Sequence, residues 1–135
     1  MPPDHQSANR PGKGERILLV DDDKSILKVS QQMLTRLGYQ VVSRTSGRAA
    51  LTLFQANPDH FDLIITDEAV PELRGIDLAR EMIQIRPEIP IILYSGCEEI
   101  FSPEMTSWPW FRARIQKPVR FSVLAETVRQ VLEQS

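Results

Sequence analysis

Residues 17–25 read ILLVDDDKS: four apolar side chains run straight into three aspartates, a lysine and a serine. A short unbroken apolar run is what a strand covered on both faces looks like, so RILLV at 16–20 reads as a buried strand. Asp21, Asp22 and Asp23 stand at its exit. Like charges at adjacent positions repel, which costs stability unless something positive sits among them. One answer is a solvated turn with a helix cap. The other is a cation site.

Outward from this stretch, apolar runs alternate with helical periodicity. Ile26, Leu27, Ser30, Met33, Leu34 and Leu37 repeat at helical spacing, and Gly38 supplies a stop. YQVVSR (39–44) is a second strand. Ser46 is placed to cap a helix bearing Ala49, Ala50, Leu53 and Phe54, which ends at Asn57-Pro58. FDLIIT (61–66) is a third strand, and Ile76, Ala79, Met82 and Ile83 form the next helical face before Pro87. IPIILYS (89–95) is a fourth strand. Ser102-Pro103-Glu104 is a helix entry, limited by Pro109 to about two turns. FRARIQ (111–116) is a fifth strand, and Phe121, Leu124, Val128, Val131 and Leu132 stripe a final helix. Five strands alternating with five helices predict an α/β fold, a doubly wound parallel sheet with helices on both faces.

Composition narrows the function classes. The 135 residues suit one compact domain, with 41% hydrophobic and 25% charged residues. A net charge of −2 gives no reason to expect nucleic-acid or membrane contact. Cys97 is the one cysteine, so an internal disulfide and a Cys-based zinc site are excluded. No apolar run approaches the roughly 18 residues of a membrane span. The opening MPPDHQSANRPGKGE lacks the apolar core of a secretory signal. Residues 1–15 therefore read as a flexible polar linker, residues 16–135 as the folded domain, and the location as cytoplasmic.

Ligands of such sheets bind beyond the carboxyl ends of the strands, so the polar residues there matter most. Strand one ends in Asp21, Asp22 and Asp23, and strand three in Thr66-Asp67-Glu68. Strand four ends in Ser95-Gly96 and strand five in Lys117-Pro118. Carboxylates from two strands can hold a hard divalent cation such as Mg2+, which would remove the repulsion. A hydroxyl and a lysine beside them would suit the remaining oxygens of a phosphoryl group.

With these residues assembled, the chain resembles response-regulator receiver domains. The motifs are VDDD (20–23), DLIITDEAVPELRG (62–75), IILYSG (91–96) and QKPV (116–119), in order and at matching strand ends. The resemblance spans about Arg16 to Glu133. It implies the flavodoxin-like strand order 2-1-3-4-5 and Mg2+ as cofactor. It also implies that Asp67 takes a phosphoryl group from the phosphohistidine of a histidine kinase or phosphotransfer domain. Asp21 and Asp22 would hold Mg2+ with Asp67 and the backbone carbonyl of Ala69. Ser95 would hydrogen-bond one phosphoryl oxygen and Lys117 pair with another. Lys117-Pro118 would be a cis peptide, and Pro71 and Gly75 would shape the loop after Asp67. The domain would catalyse its own Mg2+-dependent phosphorylation and dephosphorylation, with no stand-alone substrate turnover.

Other residues carry blander expectations. Asp23 reads as a helix N-cap or exposed acid, Glu68 as solvated or merely near the metal, and Cys97 as a small loop residue. His5 and His60 read as neither base nor ligand. Arg112, Arg114, Lys117 and Arg120 would be scattered over both faces by strand alternation. Three departures from the family pattern bear on output. Arg114 replaces the usual aromatic three before the lysine, which predicts altered output coupling. Trp108, Pro109 and Trp110 stand where small residues are usual: exposed tryptophans would make the Trp108–Arg114 region a surface for a downstream protein, whereas buried ones would refill a core disturbed by Pro109, and partial burial is expected. Ala69 offers no side chain to position an attacking water, which predicts slow loss of phosphate.

The entry GKGERILLVDDD, with ALTLFQANPDHFDLIITD (50–67), resembles receivers at the C-terminus of hybrid sensor histidine kinases, and a free-standing regulator fits the same residues. A monomer or weak dimer is expected. Two readings from other classes stand beside this one. They are a degenerate receiver acting as a protein-docking module and a Mg2+-dependent phosphohydrolase with an aspartyl nucleophile.

Overall fold

The computed structural model describes residues 14–95, 111–116 and 120–134. Among these the chain order is β1 (Arg16–Val20), α1 (Lys24–Arg36), β2 (Gln40–Arg44), α2 (Gly47–Ala56) and β3 (Leu63–Asp67). Then follow α3 (Gly75–Ile85), β4 (Ile91–Ser95), β5 (Phe111–Gln116) and α4 (Phe121–Gln134). All strand pairs are parallel, and the sheet order is β2-β1-β3-β4-β5. From β1 the chain first moves outward to β2, then crosses back to place β3 on the other side of β1.

Strand alternation explains why the apolar runs are continuous. Ile17 and Leu19 face one layer with Leu63, Ile65, Ile92 and Ile115, where Leu27 and Leu34 of α1 and Leu124, Val128 and Val131 of α4 cover them. Leu18 and Val20 face the other layer with Ile64, Ile91 and Leu93, under Ala50, Leu51 and Phe54 of α2 and Leu78, Ala79 and Met82 of α3. Both faces of β1 and β3 are therefore buried, and each large aliphatic side chain so placed contributes about 1.5–3 kcal/mol.

Local signals set the helix ends. The Asp23 carboxylate caps α1, accepting from Ser25 N–H at 3.0 Å and Ile26 N–H at 3.2 Å. At the other end Gly38 adopts φ 100°. The Gly38 N–H donates to the Thr35 carbonyl at 3.0 Å and the Tyr39 N–H to the Leu34 carbonyl at 3.2 Å, a Schellman stop closed by Leu34 and Tyr39 in the core. Ser46 caps α2 by accepting from Ala49 N–H at 3.1 Å. These three ends are as the sequence predicts.

The boundaries of the third strand differ from expectation: β3 begins at Leu63 and includes Asp67. Four helices lie among the described residues. The helix expected from Ser102 lies outside them, as do Gly96, Cys97, Trp108, Pro109, Trp110, Lys117, Pro118 and most of the expected linker, His5 included. The side chains of Ser95, Arg112 and Arg114 are likewise outside the description, although the backbone pairs Leu93 with Arg114 and Ser95 with Gln116. No helix among the described residues is long and apolar enough to cross a membrane.

Candidate functional site

The winding of the sheet reverses between β1 and β3, and doubly wound sheets bind ligands beyond the carboxyl ends of the strands at such a point. Val20 and Thr66 are register partners, so the residues that follow them emerge side by side. Asp21 is fully buried and Asp67 is 5% exposed, while Asp22 faces solvent. One carboxylate oxygen from each of Asp21, Asp22 and Asp67 lies within 4.8 Å of the others. Of the three consecutive aspartates, Asp23 is excluded from this group by its cap. Its N–H instead donates to Asp21 Oδ1 at 2.8 Å and orients that carboxylate toward the cluster.

Three anionic oxygens this close, two of them on buried side chains, fit a small hard cation that accepts a partial set of protein oxygens and keeps waters. Exposed Asp22 leaves one side open to those waters. The donor chemistry therefore suits Mg2+. Ser95 ends β4, next in the sheet to β3. Ala69, whose backbone carbonyl is the expected fourth ligand, is exposed in the loop between β3 and α3. His60 is exposed and meets the Phe61 ring edge-on with centroids 4.9 Å apart.

Glu68 corrects the sequence reading. It is 1% exposed rather than solvated, because α3 has Arg74 at its N-cap, which supplies no side-chain cap. The Glu68 carboxylate fills that role from eight residues upstream, accepting from Ile76 N–H at 2.8 Å and pairing with Arg74 at 2.8 Å. Burial pushes its carboxyl above the ordinary range, and Arg74 and the Ile76 N–H offset only part of that. Since Arg74 is largely exposed, the ion pair adds little. Glu68→Ala is therefore expected to cost about 1–2 kcal/mol through loss of the cap. Glu68→Gln keeps an acceptor oxygen for Ile76 and should cost less, a difference that urea denaturation of the two variants would measure.

The loop that Glu68 opens is held along its length. Val70 is buried against the α2 and α3 layer, and the Pro71 carbonyl accepts from Gly47 N–H at 3.2 Å. Glu72 takes φ 70°, a left-handed conformation that costs a non-glycine residue about 1 kcal/mol or more. The Gly75 N–H closes the loop on the Glu68 carbonyl at 3.0 Å. A loop fixed at both ends gives residue 69 a fixed place beside Asp67.

Tyr94 is a residue the sequence reading passed over. It is 2% exposed and is the register partner of Asp67, and its carbonyl accepts from Glu68 N–H at 3.1 Å. Burial first, then the carboxylates of Asp21 and Asp67, push its phenol far above the ordinary tyrosine range. The available signal was its place immediately before Ser95. Only the register of β3 and β4 shows that Tyr94 stands beside Asp67.

Residues 17–129 match the family model described as the response regulator receiver domain. The chain belongs to that family. The receiver domain is similar to the two-component response regulator ARR14 of Arabidopsis thaliana, 38% identical over 82 residues. That alignment covers 61% of this chain and 22% of the plant protein. Similarity to the transcriptional regulatory protein GlrR of Escherichia coli runs over 123 residues at 32% identity, 91% of this chain and 27% of that protein. The receiver domain thus spans about a quarter of the length of these relatives. Among solved structures, a response regulator receiver domain protein from Clostridium thermocellum superposes with a TM-score of 0.82 at 26% identity, covering 89% of this chain and 95% of that one. The receiver domain of the hybrid histidine kinase CckA gives a TM-score of 0.75 at 28% identity, covering 87% and 98%. Membership places the receiver domain in two-component signal transduction.

Proposed function

We propose that this receiver domain accepts a phosphoryl group on Asp67 from a phosphohistidine, in a Mg2+-dependent reaction, and passes the signal on by conformational change. The observation that carries this reading is the meeting of Asp21, Asp22 and Asp67 oxygens within 4.8 Å at the strand ends. Asp67 is the nucleophile: its carboxylate oxygen forms the new bond to phosphorus as the bond to the imidazole nitrogen breaks, and that electron pair leaves with the imidazole. Mg2+, when bound, neutralises charge on the transferring oxygens and on the acids around them. Asp21 and Asp22 hold the cation with Asp67 and the Ala69 carbonyl, and Ser95 and Lys117 contact the phosphoryl oxygens. The donor is a histidine kinase or phosphotransfer domain.

Residues 16–135 act as one unit after the 1–15 linker, in the cytoplasm, as a monomer or weak dimer without nucleic-acid contact. We assign recognition of a downstream protein to the Trp108–Arg114 region. A hybrid sensor kinase is the parent we favour, supported by the likeness to the CckA receiver.

The test is intact mass after incubation with Mg2+ and a small acyl-phosphate donor. A single phosphate adduct that chelation abolishes is expected, and its slow decay would agree with alanine at 69. No adduct from that donor or from a panel of phosphorylated histidine kinases would overturn the reading and favour a docking-only receiver.

A further inference from the structure

Asp67 and Ala69 flank a buried acid whose carboxylate is turned to α3. Glu68 Oε1 accepts from Ile76 N–H at 2.8 Å, and Oε2 pairs with Arg74 Nη2 at 2.8 Å. A serine or aspartate at position 74 would cap α3 equally well from next door. Arg74 stands there and makes no side-chain cap. The cap comes instead from the residue that follows Asp67, and a helix capped in this way is joined to the strand end that carries Asp67.

We propose that Glu68 is a positioning residue for phosphorylation of Asp67. Its side chain locks the first turn of α3 to the end of β3, and so sets where the Asp67 carboxylate and the residue-69 carbonyl stand. This inference rests on the phosphoacceptor reading above. All the polar groups of Glu68 are engaged. Its N–H donates to the Tyr94 carbonyl of β4 at 3.1 Å, and its carbonyl accepts from Gly75 N–H at 3.0 Å. Residue 68 is thus held by β4 and by α3 at once. There is little slack between helix and strand, since a Cβ on Gly75 would lie 2.6 Å from the Asp67 carbonyl oxygen. A tilt of α3 about its start is therefore passed directly to the Asp67 peptide. Reach matters here more than charge: aspartate is one methylene too short to meet Ile76 N–H from the same backbone, whereas glutamine has the full length.

The test compares Glu68→Ala, Glu68→Asp and Glu68→Gln in the full chain. The readouts are the rate of adduct formation from acetyl phosphate, the Mg2+ Kd by calorimetry and the melting temperature. Rates are taken well below the lowest melting temperature, so that every variant is folded. Glu68→Ala and Glu68→Asp are expected to slow phosphorylation roughly tenfold, since small displacements of a nucleophile are costly in rate. Their Mg2+ Kd should rise as well, because the residue-69 carbonyl loses its fixed place. Glu68→Gln should stay near the wild-type rate and Kd. Val128→Ala is the control: it opens a void in the opposite layer, beneath α4, and should lower the melting temperature without changing rate or Kd. Slowing in Val128→Ala to match Glu68→Ala would tie the effect to stability alone and overturn the proposal. A normal rate in Glu68→Asp with a slow Glu68→Gln would assign the role to charge and overturn it too. That pair decides the matter if Glu68→Ala does not fold. A wild-type chain that takes no phosphate from acetyl phosphate or a phosphorylated kinase would overturn the phosphoacceptor reading, and this inference with it.

Discussion

Asp67→Asn is expected to abolish the phosphate adduct completely while making the metal-free protein more stable. Loss of the adduct follows from chemistry: an amide oxygen is too weak a nucleophile to displace imidazole from phosphorus. The stability gain follows from electrostatics. Two unit charges 4.8 Å apart, the outer limit for these oxygens, repel by roughly 3.5 kcal/mol at an effective dielectric of 20. Solvent at exposed Asp22 and the backbone donor on Asp21 reduce that figure. A net gain of about 1 kcal/mol remains, or several degrees in Tm for a domain of this size. Mg2+ should raise the Tm of the wild type more than that of the variant, since the variant offers the ion one anionic ligand fewer. Thermal melts with and without Mg2+, beside intact mass, measure all three. A variant that melts lower in chelated buffer would contradict the repulsion argument.

The second large effect is expected at Gly75. Its φ is not positive, so glycine serves for room and not for backbone freedom. A Cβ there would lie 2.6 Å from the Asp67 carbonyl oxygen and 2.9 Å from the Glu68 Cα. Both are backbone atoms at the end of β3, with no flexible side chain to give way. Gly75→Ala must displace either the start of α3 or the strand end that carries Asp67, at a cost of about 1–3 kcal/mol. Phosphorylation should slow, because a small displacement of a nucleophile is expensive in rate. Gly47→Ala provides the comparison. Its Cβ would lie 2.0 Å from the Leu73 carbonyl oxygen, at the far side of the same loop. Destabilisation of similar size is expected there, with a smaller loss in phosphorylation rate. Equal rate losses at the two glycines would show that the loop moves as one piece.

How much of this was legible beforehand depends on the range of the interaction concerned. The apolar runs of β1, β3 and β4, the helical stripes, the Asp23 and Ser46 caps and the Gly38 stop are all set within a few residues, and the sequence displays them. The gathering of acids followed from topology: once the elements alternate, strand ends converge on one edge, so Asp21, Asp22 and Asp67 were identifiable. Glu68 was misread because its partners, Ile76 and Arg74, belong to a helix with no local cap, and nothing near Glu68 signals that vacancy.

By itself, then, the sequence determined the order of the elements, the two-sided burial of the central strands and the residues at the carboxyl edge. Periodicity, capping and turn chemistry act along the chain. Only the tertiary structure decided that Asp21 is buried while Asp22 faces solvent. It also placed Glu68 under α3, made Gly47 and Gly75 the points where the loop is held, and set Tyr94 beside Asp67. Those outcomes depend on strand register and on contacts between segments far apart in sequence, where a shift of one residue would carry every side chain to the opposite face.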